Sequence, residues 1–163
     1  AKARRVVQAF DRADRDHLLA AAHLHDVGYA PSLRRTGAHQ LDGAEYVRSF
    51  GHERLAGLVA HHSAARFELE LRGLGDQLAG VPTERSDVTA ALIYCDLTTG
   101  PTGTSMSLDE RIDEVVGRYG SESVVAQALR RARPELAEAV ESVGRLLSGG
   151  DVQLNVARDA DES

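Results

Sequence analysis

The sequence predicts an all-α fold, and three observations support this prediction. Aromatic residues are only 4% of the chain and tryptophan is absent, so the core must consist mainly of Leu, Val and Ala. Apolar residues recur through most of the chain at the spacing of amphipathic helices. No segment has the alternation of apolar and polar residues that is typical of a strand. A helical bundle is therefore the predicted architecture.

The composition argues against several classes of protein. A chain of 163 residues is typical of one domain that can bury a hydrophobic core. Its net charge of −6 argues against binding to long nucleic acids or anionic membranes, which requires a basic face. The single cysteine, Cys95, excludes an internal disulfide framework and is typical of a reducing cytoplasm. With no apolar run of about 20 residues and no secretory signal, we expect a cytoplasmic protein without a membrane span.

The first two predicted helices lead to an adjacent His-Asp pair. The first runs to about Phe10, and we expect it to begin before the first residue of the chain, because the opening residues already follow a helical pattern. Asp14 is the predicted N-cap of the second helix, which carries His25 and Asp26 and stops at Gly28. At roughly 100° per residue, His25 and Asp26 fall on the apolar stripe of this helix. A buried carboxylate needs a cation, a cluster of donors or a metal, so another part of the chain should supply that partner.

Seven further helices are predicted after an irregular link over 29–38. Ser86 caps the sixth helix, and Ser107 and Glu110 form a capping box that opens the seventh. Pro134 lies at the predicted first position of the last helix. Apart from the sixth, these helices are predicted over about 39–50, 53–63, 67–78, 107–118, 122–132 and 134–147.

The domain organisation follows from these elements. We predict a single domain over 1–148. Its last two helices pack as a C-terminal pair over 121–148. The acidic segment over 149–163 is predicted to be a flexible tail.

Imidazole and carboxylate groups on four of the predicted helices face one interior. All seven histidines lie within the first 62 residues, and several of them fall on or beside inward stripes. Such donors, without a thiolate, are typical ligands of Fe, Mn, Zn or a related divalent ion, and they favour one or two catalytic metals over a structural zinc. The candidate ligands are His25, Asp26, His39, His61, His62 and Asp96.

The order of these residues resembles the HD-domain superfamily of metal-dependent phosphohydrolases, whose fold is an all-α bundle. The resemblance rests on the series HD, H, HH and D, each on its own predicted helix. It covers about residues 1–120, which it implies are the family core, so that the pair over 121–148 is an extra C-terminal element. It implies that Asp26, the predicted catalytic residue, bridges two metal ions. The implied ligands are His25, Asp26 and Asp96 for one ion, and Asp26, His39 and either His61 or His62 for the other.

Two features of this ligand set stay open in the sequence. The helical angle favours His62 as the inward member of its pair, whereas His61 fits the position of the family's ligand slightly better. The family also has one more metal-binding histidine on the first helix. The chain has no histidine over 1–16, and we expect that position to lie a few residues before Ala1.

The resemblance implies hydrolysis of a phosphoester or phosphoanhydride by a metal-activated hydroxide. The expected substrate is a nucleotide or another small phosphorylated metabolite, and the expected metal is Fe or Mn, with Mg, Zn, Ni or Co as alternatives. Arg34, Arg35 and Arg111 are candidates for binding the phosphate. Thr98 and Thr99 are candidates for orienting the distal aspartate. From the net charge and the lack of a long apolar run, we expect the partners to include neither a membrane nor a long nucleic acid. The formation of a homo-oligomer stays possible.

Two alternative functions are compatible with the same residues. The HD ligand set also supports di-iron oxygenases within the superfamily, in which oxygen is activated and a C–H or C–P bond is attacked. A non-catalytic HD module that binds a ligand or acts as a sensor is the second alternative. It is favoured if the upstream histidine is absent from the full-length protein.

Overall fold

A computed structural model describes residues 2–159 of the chain, with side chains over 2–149, and it confirms the prediction of an all-α fold. Short 3-10 turns at Val7–Ala9, Val27–Tyr29 and Pro31–Leu33 connect some of the helices. Within the described residues, none of the helices is both long and apolar enough to cross a membrane. The nine helices of this part of the chain are α1 (Lys2–Val6), α2 (Arg12–Leu24), α3 (His39–Arg48), α4 (Glu53–Ala60), α5 (Ala65–Leu71), α6 (Gly75–Ala79), α7 (Asp87–Leu97), α8 (Leu108–Tyr119) and α9 (Val124–Asp159).

Two hydrophobic clusters form the core, and α7 and α9 contribute to both. The first cluster lies mainly among α1 to α4 and includes Leu18, whose side chain is fully buried. The second lies where α9 packs against α5 and against α8. Helix α7 places Leu92 in the first cluster and Leu97 in the second. Helix α9 places Val143 in the first cluster and Leu136 in the second. Since each buried leucine contributes about 1.5–3 kcal/mol, these two helices hold the halves of the molecule together.

The second helix begins and ends earlier than predicted. Its N-cap is Asp11 and not Asp14, because the extended backbone of Asp11 lets its carboxylate accept a hydrogen bond from the Asp14 N–H at 2.9 Å. The helix ends at Leu24, so that His25 is its C-cap. Asp26 therefore lies outside the helix, and its side chain is 59% exposed instead of buried on the apolar stripe.

The middle of the chain also departs from the predicted boundaries. Helix α4 ends at Ala60, so that His61 and His62 lie in the turn that follows it. The helix predicted over 67–78 is two helices, α5 and α6. They are separated at Gly73, whose φ of +71° is a left-handed conformation that glycine adopts without steric cost.

The predicted C-terminal helix pair is a single helix, α9, with Pro134 in its interior. Proline removes one backbone hydrogen bond there and costs about 3 kcal/mol in an isolated helix. Burial of Leu129 before the proline, and of Leu136 and Val143 after it, offsets this cost. Of the predicted tail, 149–159 lies in α9, while 160–163 lies outside the described residues.

Candidate metal centre

The turn after α2 lies unusually close to α3. A Cβ atom on Gly28 would lie 2.0 Å from the carbonyl oxygen of His39 and 2.7 Å from the backbone nitrogen of Gly43, so only glycine permits this approach. Since α3 begins at His39, the contact brings the imidazole of that residue beside Asp26. The His-Asp pair and the next histidine are thus joined by backbone packing.

Asp26, His39 and His62 bring three potential ligand atoms together. Oδ1 of Asp26 lies 3.5 Å from Nε2 of His39 and 4.0 Å from Nε2 of His62. The two Nε2 atoms are 3.3 Å apart. A divalent ion with bonds of about 2.0–2.2 Å to such donors requires them to be about 3–4 Å from one another. These residues therefore fit a metal ion, and we refer to them as the metal triad.

A second group of side chains adjoins the metal triad through Asp26. Nε2 of His25 lies 3.5 Å from Oδ2 of Asp26 and 3.7 Å from Oδ1 of Asp96. The hydroxyl of Ser63 donates a hydrogen bond to Oδ2 of Asp96. The side chain of Asp96 is only 17% exposed, so the buried carboxylate that needs partners is Asp96 and not Asp26.

The protonation of the cluster favours metal binding by the triad. Burial, together with the nearby His62 and His25 rings, lowers the pKa of His39 to about 3. Burial likewise lowers the pKa of His62. Both rings are therefore neutral at pH 7, which is the form that binds metals. Burial also opposes the charged form of His25, but the carboxylates of Asp96 and Asp26 outweigh it and raise the pKa of His25 to about 9.

The adjacent histidines His61 and His62 face different surroundings. Nδ1 of His62 lies 2.6 Å from the carbonyl oxygen of Val59, to which it donates as the Nδ1–H tautomer, and this leaves Nε2 free to face Asp26. Nε2 of His61 instead lies 3.1 Å from the carbonyl oxygen of Val81. The structure thus brings His62 into the cluster and leaves His61 outside it.

The family model of the HD domain matches residues 1–93, more than half of the chain. The chain belongs to the HD-domain family. The membership predicted from the sequence is therefore confirmed, and the matched region contains all three residues of the metal triad. A search of curated proteins found no match, and a search of solved structures found none either.

The three candidate arginines of this HD domain lie in different places. Nε of Arg34 donates to the carbonyl oxygen of Tyr29 at 3.1 Å, and Arg35 forms an exposed ion pair with Glu45 at 2.5 Å. Neither contact brings a guanidinium group into the cluster. Arg111 differs, because its side chain is only 16% exposed and borders the cavities beside the cluster.

The two candidate threonines do not contact the Asp96 carboxylate. Oγ1 of Thr98 donates to the carbonyl oxygen of Tyr94 at 2.5 Å and accepts from Nζ of Lys2 at 2.6 Å. It therefore closes the C-terminal end of α7. Oγ1 of Thr99 is buried without a hydrogen-bond partner among the described residues.

Two residues of the HD site were not predicted from the sequence. Ser63, which holds Asp96, has a φ of +50°, a left-handed conformation that is rare outside glycine. The position of Ser63 directly after the histidine pair is the one sequence signal that could have indicated its role. Tyr29 stacks on His39, with ring centroids 4.0 Å apart, and its place three residues after Asp26 was a comparable signal.

The cluster forms a wall between two cavities. The smaller has a volume of about 140 Å³ and is lined by residues that include Tyr29, His39 and His62. The larger, which we call the basic cavity because Lys2, Arg4 and Arg111 line it, has a volume of about 600 Å³ and lies on the side of His25. Three side chains border both cavities, namely Asp26, Asp96 and Arg111.

Proposed function

We propose that this HD-domain protein is a metal-dependent phosphohydrolase that acts on a nucleotide or another small phosphorylated metabolite. The observation that carries the proposal is the metal triad, whose three donor atoms lie within 4.8 Å of one another at the wall of a cavity. HD-domain proteins are mostly metal-dependent hydrolases, which supports the same reaction class.

The donor set suits one or two divalent ions. His39 and His62 would hold one ion together with Asp26, and His25 and Asp96 would hold a second ion that shares Asp26. We expect Fe or Mn, because mixed imidazole and carboxylate ligands suit these metals. Bound at such a site, divalent ions supply an activated water and positive charge against phosphoryl oxygens.

The side chains around the donors have roles that follow from their contacts. The Val59 carbonyl orients the His62 ring, and the Ser63 hydroxyl orients the Asp96 carboxylate. The exposure of Asp26 leaves its carboxylate accessible from both cavities. Arg111 would neutralise the charge of a bound phosphoryl group, since guanidinium groups bind phosphate oxygens strongly.

The surroundings of the cluster favour a small substrate. The basic cavity, at about 600 Å³, is within the usual range of small-molecule sites. The net charge of −6 would repel a long nucleic acid from the rest of the surface. A small phosphorylated molecule avoids this repulsion because it contacts only the cluster and the cavity walls.

Two measurements on the full-length protein test the proposal. The first is metal analysis, and the second is phosphate release from a panel of phosphomonoester, phosphodiester and nucleotide substrates. We expect Asp26→Ala to lose bound metal and phosphate release together, because both groups of donors share this carboxylate. Asp16→Ala is the matched control, since Asp16 is an exposed residue of α2 outside the cluster. This control should retain both the metal and the activity.

Several outcomes would contradict the proposal. Wild-type turnover by Asp26→Ala would place the active site elsewhere. A purified full-length protein that binds no metal and hydrolyses no member of the panel would not be a metal-dependent phosphohydrolase. Oxygen consumption in place of phosphate release would indicate an oxygenase.

A further inference from the structure

The two histidines of the metal triad differ in what fixes their rings. Nδ1 of His62 donates to the carbonyl oxygen of Val59 at 2.6 Å, so a hydrogen bond on the far side of the ring sets the direction of Nε2. The polar contacts of the His39 ring among the described residues all involve Nε2, which lies 3.3 Å from Nε2 of His62 and 3.5 Å from Oδ1 of Asp26. Metal-bound histidines are usually oriented through their second ring nitrogen, so the His39 ring needs another support.

The ring of Tyr29 provides such a support. It stacks on the imidazole of His39 with ring centroids 4.0 Å apart and an angle of 14° between the two planes. His62 contacts the same imidazole edge-on, at 5.2 Å and 60°. Rotation about the Cβ–Cγ bond, a torsion with broad preferences in histidine, would turn Nε2 away from Asp26. The parallel tyrosine ring opposes this rotation, because the edge of the imidazole would have to turn into it.

Two hydrogen bonds fix the backbone of Tyr29, although the residue is 49% exposed. Its N–H donates to the carbonyl oxygen of Asp26 at 3.0 Å, and its carbonyl oxygen accepts from Nε of Arg34 at 3.1 Å. The preceding residue, Gly28, holds the turn against the start of α3, where His39 lies. Tyr29 belongs to neither of the two hydrophobic clusters of the described core, so packing of the core does not account for its position.

We propose that Tyr29 is a positioning residue of the metal centre, whose ring holds the imidazole of His39 in the plane that directs Nε2 toward Asp26 and His62. The contact requires a flat ring and not a hydroxyl group, so phenylalanine should replace this tyrosine without loss. The inference rests on the metal binding in the proposed function and is independent of the reaction that the metal supports.

Cobalt titration of the full-length protein, freed of metal with a chelator, tests this inference. Co²⁺ is the probe because its visible absorption depends on the number and the arrangement of its ligands. We expect Tyr29→Leu, which keeps an apolar side chain without a ring, to weaken Co²⁺ binding by about two- to tenfold, as the loss of one aromatic pair does, and to change the absorption spectrum. Tyr29→Phe should match the wild type in both measurements.

Tyr46→Leu is the matched control. Tyr46 is also an exposed tyrosine, but it lies on α3 and contacts Phe50 edge-on, with ring centroids 5.1 Å apart, instead of a metal ligand. This variant also loses an aromatic pair, so it controls for the general effect of removing a tyrosine ring. It should bind Co²⁺ as the wild type does.

A second comparison shows whether Tyr29 acts through His39. We expect Tyr29→Leu to lower the Co²⁺ affinity of the wild type but not to lower further that of His39→Ala, because the ring that Tyr29 supports is absent there. An equal loss in both backgrounds would overturn the inference. An unchanged affinity of Tyr29→Leu would overturn it too, as would a loss in Tyr29→Phe as large as that in Tyr29→Leu.

Circular dichroism of the metal-free proteins accompanies these titrations. Since Tyr29 is half-exposed and lies outside the hydrophobic clusters, metal-free Tyr29→Leu should be as helical as the metal-free wild type. An unfolded metal-free variant would overturn the inference, because Tyr29 would then support the whole fold and not one ring.

Failure of the proposed function would have a different signature. In that case no member of the phosphate panel is hydrolysed, while the effect of Tyr29→Leu on Co²⁺ binding persists. If instead phosphate is released and Tyr29→Leu binds Co²⁺ like the wild type, the phosphohydrolase function holds and stacking does not position His39.

Discussion

Asp26 and Asp96 are both aspartates of one cluster, but their surroundings differ. The side chain of Asp26 is 59% exposed and faces His25, His39 and His62, which suits a carboxylate that a ligand must reach. The side chain of Asp96 is 17% exposed, and its two oxygens face His25 and Ser63. These contacts outweigh the opposing effect of burial and lower the pKa of Asp96 below its ordinary range, so the carboxylate is charged at neutral pH.

The adjacent histidines of the α4–α5 turn provide a matched pair of variants. We expect His62→Ala to weaken metal binding by at least about tenfold, because its Nε2 is one of the three atoms of the metal triad. His61→Ala should retain the metal and lose only about 1 kcal/mol of stability, since it loses a hydrogen bond to the Val81 carbonyl. Metal analysis and thermal unfolding of both variants check this prediction.

The reverse order of effects would identify His61 as the ligand. That result would require the turn after α4 to rotate, so that the ring of His61 replaces the buried ring of His62. Equal metal content in both variants and the wild type would place the metal away from this turn.

Ser63 combines a contact to Asp96 with a left-handed backbone, and two substitutions separate these features. Ser63→Ala and Ser63→Gly both remove the hydroxyl, so both should weaken metal binding by a similar factor. The alanine variant should be less stable than the glycine variant by about 1 kcal/mol, because a Cβ atom is disfavoured at a φ of +50°. Urea unfolding and metal titration of the two variants measure these effects.

Equal stability of the two Ser63 variants would contradict the left-handed conformation of this residue. Different metal affinities would indicate that the backbone, and not the hydroxyl, controls the position of Asp96.

Among the secondary-structure elements, α9 shows most clearly how packing overrides local sequence signals. Pro134 is a strong signal for the start of a helix, yet it lies eleven positions into α9, which begins at Val124. Ala132 and Leu136, on either side of the proline, are buried in the second hydrophobic cluster. A break at Pro134 would separate these two residues, so the continuous helix is favoured in spite of the missing hydrogen bond.

Replacement of this proline should therefore stabilise the protein. We expect Pro134→Ala to raise the free energy of unfolding by about 1–3 kcal/mol, because it restores a backbone hydrogen bond and removes a steric clash in an exposed position. Glu138→Ala, at an exposed position one turn later, is the control and should have a small effect. Lower stability of Pro134→Ala would mean that the chain breaks at this residue, as two separate helices would require.

At the scale of the whole molecule, the cluster exists because four segments converge on it. The turn after α2 supplies the His-Asp pair, α3 supplies its first residue, the turn after α4 supplies a histidine, and α7 supplies the distal aspartate. The turn approaches α3 so closely at Gly28 that an added Cβ atom would overlap the His39 carbonyl oxygen. Stability and site geometry are therefore linked at this glycine.

A pair of glycine substitutions tests this link. Gly28→Ala should destabilise the protein by about 3 kcal/mol or more and reduce its metal content, because the added Cβ atom overlaps the His39 carbonyl oxygen and forces the turn away from α3. Gly117→Ala is the control, since an added Cβ atom on this residue of α8 meets no atom within 4 Å. It should raise stability by up to about 1 kcal/mol through helix propensity. Chemical unfolding and metal analysis compare the two, and a stable, metal-loaded Gly28→Ala protein would refute the proposed packing.

Much of the fold could be predicted because its signals are local. The capping residues Ser86 and Ser107 mark the starts of α7 and α8 as predicted, since an N-cap contacts backbone groups only two or three residues away. The predicted ends of α2 and α4 lie three or four residues beyond the observed ends of these helices. Both helices end in short turns that contain no proline, and the glycine after α2 lies beyond the true end of the helix.

The sequence by itself determined the helical class and the HD family, because composition, periodicity and the order of a few residue types carry that information. Only the tertiary structure decided that His62 faces Asp26, that Asp96 is the buried carboxylate and that Arg111 borders both cavities. Each of these facts depends on where a helix ends and on contacts between residues far apart in the chain. Packing of the whole bundle determines such contacts, and no local pattern encodes them.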